Sequence, residues 1–254
     1  MPAFRVTQIS DPHLARRLPT LTENFHRVSE YIDATRPDLV INSGDLAFDG
    51  PDHPDDLEFA KTLHAALPVT CRYLPGNHDI GDNPTKVGPA PSQPVTERDR
   101  QSFLSLFGED RWQFEAAGWY FIGLNSLIMN TGLASEAEQF DWLASQLAGA
   151  RGKPVALFLH KPLFLDSPDD PELPASAIPL RSDAGTPPPG RDVWRRRSAA
   201  GRQRPCSPAP GFYLFPRPAH LGAFRRLHHF GCTAGSDRPQ GGRAGRVSLP
   251  ARQL

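Results

Sequence analysis

Three short apolar segments in the first 80 residues each end in a cluster of polar residues, and helical patterns separate them. The segments FRVTQIS, DLVINSG and TCRYLPG are rich in the β-branched and aromatic residues that strands favour. Between them lie LTENFHRVSEYIDATRP, with apolar residues at helical spacing, and DDLEFAKTLHAAL. This β-α-β-α-β order predicts an α/β domain whose sheet is covered by helices, and no other feature constrains the fold as much.

The same alternation continues further along the chain. GWYFIGLNS and KPVALFLH are predicted strands, and SEAEQFDWLASQLAGA between them is a predicted helix. Thr20 with Glu23, and Ser135 with Glu138, predict capping boxes at two helix N-termini. Residues 81–97 contain four prolines and no periodicity, and loops of that length are typically site lids or disordered segments.

Charge and composition divide the chain into two parts. Residues 1–180 contain 14 Lys and Arg against 25 Asp and Glu, whereas residues 181–254 contain 14 against 3. The second part holds 14 Arg, 10 Pro and 10 Gly, without any Lys, Glu or Ile. Strands and helices lack their usual material in such a composition. We therefore predict one folded domain over 1–180 and a disordered or miscoded tail over 181–254.

The sequence gives no sign of membrane insertion or of disulfide bonds. MPAFRVTQIS lacks a basic stretch followed by an apolar run, and no segment approaches the roughly 18 apolar residues that cross a bilayer. The cysteines are odd in number and form no CxxC pair, which disfavours a disulfide framework and a thiolate zinc site. We expect a cytoplasmic protein with no membrane association.

Residues with metal-ligand chemistry directly follow the predicted strands. In chain order they are Asp11, His13, Asp45, Asn77, His78, Asp79 and His160. Open α/β sheets place their sites past the C-terminal ends of the strands, so these side chains can converge. Oxygen and imidazole ligands without thiolates suit Mn²⁺, Fe²⁺, Ni²⁺ or Zn²⁺, and one carboxylate can bridge two ions about 3.5 to 4 Å apart. The pattern predicts a metal site in which His78 stays free for proton transfer.

Each motif taken alone has an ordinary structural interpretation. An Asp-x-His sequence is most often a turn with a surface histidine, and Gly-Asp is usually a turn closed by an Asx hydrogen bond. A single histidine after a strand is usually a satisfied polar group. Their occurrence together, each behind a predicted strand, favours a functional site.

The motifs DPH, GDLAFDG, GNHD and the histidine of LHKP, in this order, resemble the calcineurin-like metallophosphoesterase superfamily over residues 3–165. ISDPHL and INSGDLAFDG are similar to its bacterial branch that contains cyclic-nucleotide phosphodiesterases. The resemblance implies a four-layer α-β-β-α sandwich and hydrolysis of a phosphodiester or phosphomonoester. It also implies two divalent ions that activate water, with Mn, Fe, Zn and Ni as candidates, and a small phosphate ester as substrate, a cyclic nucleotide among the candidates.

The same resemblance assigns roles to the residues. His78 would donate a proton to the leaving alkoxide or bind the phosphate, and Asp79 would orient His78 or a ligand. The implied metal ligands are Asp11 and His13 for the first ion, Asp45 for both, and Asn77 and His160 for the second.

The fifth motif of the superfamily, G-H-x-H, which supplies a ligand to each ion, occurs nowhere in the 254 residues. Its absence predicts an impaired enzyme and a sandwich that is incomplete on its C-terminal side. We hypothesise that residues 181–254 are a frameshifted continuation, because a GC-rich gene translated out of frame yields such an Arg, Pro, Gly and Ala mixture. Sequencing the gene before this segment tests the hypothesis: no alternative frame encoding G-H-x-H would refute it.

Other interpretations apply if the tail is authentic. The missing ligands could be replaced by His220, His228 or His229, although their spacing is not that of the family motif. The arginines could instead bind nucleic acid without sequence preference, with Phe212–Phe215 and Phe224 stacking on bases. Composition alone supports nucleic-acid binding weakly, since an out-of-frame tail looks the same. A third interpretation is a catalytically inactive metallophosphoesterase-like protein.

Overall fold

The computed structural model describes residues 4–84 and 90–162, together with the backbone of two strands at 212–215 and 229–232. The helices are α1 (Pro19–Thr35), α2 (Pro54–Ala65), α3 (Asn77–Ile80), α4 (Glu97–Phe107) and α5 (Ala134–Gly149). The strands are β1 (Phe4–Ile9), β2 (Leu39–Asn42), β3 (Cys71–Tyr73), β4 (Trp112–Ala116), β5 (Trp119–Gly123), β6 (Val155–Phe158), β7 (Phe212–Phe215) and β8 (His229–Cys232).

The strands form two four-stranded sheets. The first sheet has the order β3-β2-β1-β8, and its three N-terminal strands are parallel, as the β-α-β-α-β pattern predicts. The second has the order β4-β5-β6-β7, in which β5 and β6 are parallel and the outer pairs are antiparallel. The parallel strands of each sheet therefore end at a common edge.

Alternate residues of β2 and of β6 supply two separate cores, which explains why these two strands are almost entirely apolar. Leu39 and Ile41 of β2 face the second sheet, whereas Val40 between them packs against the helices. In β6, Ala156 and Phe158 face the first sheet. The two sheets therefore pack face to face through aromatic and aliphatic side chains.

Helices cover the outer face of each sheet. Phe25 and Ile32 of α1, Leu57 of α2 and Phe103 of α4 pack on the first sheet. Leu143 of α5 packs on the second. The layers are therefore helices, sheet, sheet and helix, which confirms the predicted α-β-β-α architecture.

Two predicted helix caps are wrong. The first helix begins at Pro19, whose ring fixes a helical φ, and Leu18 precedes it without a side-chain cap. The fifth helix begins after Leu133, and Ser135 lies inside it rather than at its cap. A side-chain cap is present on α4, where Thr96 accepts a hydrogen bond from the backbone of Asp99.

Strand β4 and helix α4 are among the elements that the sequence pattern did not predict. Strand β4 carries its signal in the sequence WQFEA, in which large residues alternate with polar residues that face solvent. Helix α4 is rich in charged residues and buries few side chains, among them Phe103 and Phe107. It begins at the end of the predicted loop, whose two ends are joined by a β-bridge between Asp82 and Pro94.

Strands β7 and β8 lie within the segment that composition predicted to lack regular structure. Each adds an antiparallel edge, β7 beside β6 and β8 beside β1. The remaining residues after Pro162, including His220, His228 and Phe224, lie outside the described part of the chain, so the boundary at residue 180 stays a prediction. None of the helices in the described part is long and apolar enough to span a bilayer.

Candidate metal centre

The loops after β1 and β2 run side by side and bring the first two motifs together. The backbone amides of Asp11 and His13 donate hydrogen bonds to the carbonyls of Gly44 and Asp45, at 3.0 Å each. Leu14 continues the pairing by donating to the Leu46 carbonyl at 2.9 Å. Two segments more than 30 residues apart in sequence therefore meet at the common edge of the first sheet.

Three of the predicted ligands have left-handed backbone conformations. The φ angles of Asp11, His13 and Asp45 are 57°, 45° and 55°. Residues other than glycine seldom adopt such angles, and each costs on the order of 1 to 3 kcal/mol unless the surroundings enforce it. Three polar residues close together in space are held in strained backbone conformations, which indicates that the fold positions their side chains at the expense of backbone energy.

The Asp45 carboxylate lies at the centre of the cluster. Its Oδ2 is 3.6 Å from His13 Nε2, and its Oδ1 is 3.4 Å from His160 Nε2. Oδ1 also accepts a 2.9 Å hydrogen bond from the backbone amide of His78. The side chain of Asp45 is 5% exposed, and burial raises the pKa of this carboxyl to about 7. Each oxygen of Asp45 thus faces a different histidine. The raised pKa indicates that the positive charge nearby is not enough to stabilise the ionised carboxylate.

His160 reaches this cluster from the end of β6 in the second sheet. Its Nδ1 lies 3.2 Å from the Ser43 carbonyl, which can only accept, so Nδ1 carries the proton and Nε2 presents a lone pair. Nε2 is 3.1 Å from Asn77 Oδ1, another lone-pair atom. Burial lowers the pKa of His160, which keeps the ring neutral. Two acceptors in contact without a proton between them are arranged as ligands of one cation.

His78 is held in place by the segment that follows Asp45. Its Nδ1 is 2.5 Å from the Phe48 carbonyl, and its own carbonyl accepts a 2.7 Å hydrogen bond from Gly50. The His78 and His13 rings lie 4.5 Å apart, centroid to centroid, in an edge-to-face arrangement. The backbone contact fixes the proton on Nδ1 and leaves Nε2 as the reactive nitrogen.

Asp79 is fully buried, and its hydrogen bonds within the described residues go to backbone amides rather than to the His78 ring. Its carboxylate accepts hydrogen bonds from the backbone amides of Leu46, Ala47 and Gly76 at 2.8 to 3.1 Å. Burial, together with the nearby Asp45 carboxylate, raises the pKa of Asp79. Asp79 therefore fixes the backbone segment that carries Asp45.

Two glycines allow the loops to approach so closely. Gly44 has a φ of 122°, and a Cβ there would meet the His160 ring. At Gly76 a Cβ would overlap both Oδ1 and the backbone nitrogen of Asp45. The glycines of the GD and GN motifs are thus required by packing around Asp45.

Two buried polar residues below the loops were missed by the sequence argument. Asn42 accepts a 3.1 Å hydrogen bond from the Gly44 amide, and its Nδ2 lies 2.9 Å from His64 Nε2. His64 Nδ1 bonds to the Ala60 carbonyl at 2.8 Å. Signals existed: Asn42 ends an otherwise apolar strand, and His64 lies four residues after Ala60 on the apolar face of α2.

The donor atoms fit metal ions. Atoms of Asp11, Asp45 and His160 lie within 4.8 Å of one another, as do those of His13, Asp45 and His78. The Nδ1 atom of His13 is buried and without a hydrogen-bond partner among the described residues. Carboxylate, amide and imidazole donors are the set that borderline divalent ions accept. All five predicted ligands and His78 therefore lie in one cluster.

A model of the calcineurin-like phosphoesterase family matches residues 4–184. The chain belongs to this family. The prediction of membership in the metallophosphoesterase superfamily, whose enzymes are phosphoric ester hydrolases, is confirmed by that match over well more than half of the sequence.

Several known proteins are similar to this member of the family. A 3′,5′-cyclic-nucleotide phosphodiesterase of Nostoc sp. (strain PCC 7120) is 30% identical over 167 residues, which cover 62% of this chain and 56% of the relative. The human serine/threonine-protein phosphatase CPPED1 is 31% identical over 146 residues, which cover 53% and 43%. The chain thus spans about half the length of these curated relatives. A crystallised dimetal phosphatase from Danio rerio matches with 16% identity and a TM-score of 0.46, covering 64% of this chain and 71% of that one.

Proposed function

We propose that this chain is a phosphoesterase that uses two divalent metal ions to hydrolyse a small phosphate ester. The observation that carries the proposal is the Asp45 carboxylate, whose two oxygens face His13 on one side and His160 on the other. A bridging carboxylate with separate ligands on each side is the arrangement that two-metal hydrolytic sites require. The name of the Nostoc relative supports a cyclic nucleotide as one candidate substrate.

The cluster provides a place for each ion. Asp11 and His13 would hold the first, Asn77 and His160 the second, and Asp45 both. Two bound cations would supply Lewis-acid chemistry, stabilising charge on the phosphoryl oxygens and lowering the pKa of water. The side chains of Asp11 and His13 are 46% and 24% exposed, so a substrate can approach from that side.

The chain itself would supply the proton for the leaving group. With Nδ1 fixed on the Phe48 carbonyl, a protonated His78 carries its second proton on Nε2, beside His13. Donation of that proton to the departing alkoxide leaves a neutral ring with its Nδ1 hydrogen bond intact. Positioned proton transfer of this kind contributes about 10² to 10⁴ in rate.

The absence of G-H-x-H removes one family ligand from each ion, so we propose that turnover by this chain is impaired. A protein of this family that binds metal without turnover is the second candidate, and that same absence favours it. Binding of nucleic acid by the arginine-rich tail stays a prediction, because that segment lies almost wholly outside the described residues. The cytoplasmic location and the metal identity also stay predictions.

The test measures hydrolysis of bis(p-nitrophenyl) phosphate and p-nitrophenyl phosphate with added Mn²⁺, alongside Mn²⁺ binding by electron paramagnetic resonance. His78→Ala should lower kcat about 10² to 10⁴-fold while Mn²⁺ binding is retained. His26→Ala, at an exposed histidine of α1, is the matched control and should change neither. Mn²⁺ binding without turnover in the wild type would favour the second candidate, and no Mn²⁺ binding would refute both.

A further inference from the structure

Arg17 lies beside the candidate metal centre but takes no part in it. It follows His13 by four residues, in the connection between β1 and α1, and its guanidinium lies 5.3 Å from the centroid of the Phe48 ring. The Phe48 ring in turn lies 5.9 Å from the His78 ring and 6.3 Å from the His13 ring. A cation is therefore separated from the two histidines by a single half-buried aromatic ring.

The guanidinium is fixed by one buried carboxylate. Arg17 Nη1 donates a 2.7 Å hydrogen bond to Asp56 Oδ1, and Asp56, in the first turn of α2, is 1% exposed. This contact uses one of five donor hydrogens. Within residues 4–84 and 90–162 Arg17 has no other hydrogen-bond acceptor, and its side chain is 40% exposed. The remaining donors are therefore unpaired within the described part of the chain, on a partly exposed side chain.

Two acidic residues that follow Phe48 closely in the chain have hydrogen-bond partners other than Arg17. The Asp49 carboxylate, next to Phe48 in the chain, accepts hydrogen bonds from Gln93 Nε2 and from the Asp52 backbone, each at 3.3 Å. Gln93 also binds Asp52, at 2.7 Å. These carboxylates therefore have partners of their own.

The position of Arg17 relates it to one part of the substrate. This step rests on the proposed function, in which His78 gives its proton to the leaving group. The leaving group must then lie beside His78, whose ring is 5.9 Å from the Phe48 ring, and the Arg17 guanidinium lies 5.3 Å from the Phe48 centroid. A guanidinium with free donors in a fork geometry selects carboxylate and phosphoryl groups.

We propose that Arg17 binds a second anionic group, carried by the leaving part of the substrate, and that Phe48 packs against the atoms linking it to the scissile phosphate. The substrate class is then a phosphate ester whose leaving group bears a carboxylate or a second phosphoryl group. Arg17 is a specificity-determining residue in this assignment. Loss of Arg17 leaves the metal ligands and His78 in place.

The experiment measures binding of two matched phosphonates to the full chain with Mn²⁺ present, by calorimetry. They are (4-carboxybenzyl)phosphonate and (4-carbamoylbenzyl)phosphonate, which differ in the charge of the distal group. The wild type should bind the carboxylate about tenfold more tightly, as one additional charge-assisted hydrogen bond at a partly exposed site implies. 1,4-Xylylenediphosphonate forms a third arm, and its affinity relative to the carboxylate shows which anion is preferred.

Arg17→Gln should make the carboxylate and the amide bind equally, with the Mn²⁺ affinity unchanged. The matched control is Arg16→Gln, because Arg16 is also an exposed arginine over a phenylalanine, at 4.6 Å, but Phe59 lies on α2 and contacts neither histidine ring of the site. If removal of the partner of Asp56 prevents folding, the Arg17→Gln/Asp56→Asn double variant replaces it, since its buried carboxamide needs no cation.

The outcomes separate this proposal from the proposed function. Equal binding of both phosphonates by the wild type would overturn the role of Arg17 alone and leave the residue as a partner of Asp56. The same holds if Arg16→Gln abolishes the preference as fully as Arg17→Gln. Binding of neither phosphonate in the presence of bound Mn²⁺ would overturn the proposed function as well.

Discussion

The candidate metal centre and the ion pair between Arg100 and Asp110 are both buried clusters of charged groups. Only the Arg100 cluster is closed, in the sense that each charge has an opposite charge beside it. Arg100 donates to both carboxylate oxygens of Asp110, at 2.7 and 3.2 Å, and Asn125 adds a third hydrogen bond at 2.8 Å. Every charge there has an opposite partner within the fold. In the metal centre, Asp45 and Asp79 are also buried, yet the neighbouring rings are half-buried histidines, and burial lowers the pKa of both His13 and His160.

The difference in charge pairing indicates that one cluster stabilises the fold and the other binds cations. The Arg100 cluster joins α4 to the loop before β4 and stabilises the fold without any further group. The metal centre has lone pairs that face each other, raised carboxyl pKa values and strained backbone at three residues. Such a site gains stability only when cations bind, so the two clusters should respond oppositely to the loss of a carboxylate.

The largest effect is expected in the closed cluster. Asp110→Asn leaves the Arg100 guanidinium buried with only Glu97 as a counter-ion, and should lower the free energy of unfolding by about 3 to 5 kcal/mol. Urea denaturation measures it. Glu97→Gln is the control, because that side chain is 39% exposed and its removal should cost about 1 kcal/mol or less. Equal losses in both variants would mean that the cluster is not closed around Asp110.

Removal of a carboxylate from the open cluster should instead affect metal binding. Asp45→Asn should lower Mn²⁺ affinity by more than about a hundredfold, the upper end of what loss of an outer-shell partner costs. The metal-free variant should be as stable as the wild type or more so, because a buried charge is removed while the Oδ1 acceptor for His78 remains. Asp141→Asn, an exposed carboxylate on α5, should change neither quantity. If the metal-free variant were much less stable than the wild type, the metal centre and the Arg100 cluster would not differ in the way proposed.

His64 lies below the metal centre, where it pairs with Asn42, the residue that holds the Gly44 amide. Burial lowers the pKa of His64 to about 4, from 6.5 in the unfolded chain. Between these values the unfolded state binds a proton that the folded state does not, so stability falls as the pH drops through this window. Urea denaturation should show a loss of roughly 2 kcal/mol between pH 7 and pH 5. His64→Gln should lack this part of the loss; if its pH dependence matches that of the wild type, the assignment is wrong.

The last expected effect concerns the glycine beside Asp45. Gly76→Ala should destabilise the protein by about 1 to 3 kcal/mol, the usual cost of overpacking, and should weaken Mn²⁺ binding because Asp45 must move. Gly149→Ala, on α5 and with only the Tyr120 hydroxyl near its Cβ, should be neutral or slightly stabilising. Thermal melts and Mn²⁺ titrations distinguish the two. Unchanged Mn²⁺ affinity in Gly76→Ala would show that the close approach is not required.

The β-α-β-α-β order, strands β5 and β6, and the placement of the seven candidate residues at strand ends could be predicted from sequence because short motifs carried them. The layer order followed from the resemblance to the family, and strands β4, β7 and β8 were not predicted. Each apolar strand ended in a residue of ligand chemistry, and parallel strands align their ends. Asn42 and His64 were missed because each has only a weak local signal, and their pairing joins two elements 22 residues apart in sequence. The caps at Thr20 and Ser135 were wrong because Pro19 and the loop before Leu133 set the helix starts. For Asp79 the sequence left two roles open, orienting His78 or orienting a ligand, because sequence proximity does not reveal backbone amides contributed by a distant loop; its hydrogen bonds to Leu46 and Ala47 favour the second.

The contacts of His160 set the order in which this site can be built. Its partners Ser43 and Asn77 precede it by 117 and 83 residues, so a growing chain exposes the loops of the first sheet long before β6 is made. At about 5 to 20 residues per second, the delay after Asn77 is roughly 4 to 16 seconds. During that interval the loops that carry Asp11, Asp45 and Asn77 have been made but His160 has not. Occupancy of the second metal position would therefore report that the two sheets have already joined.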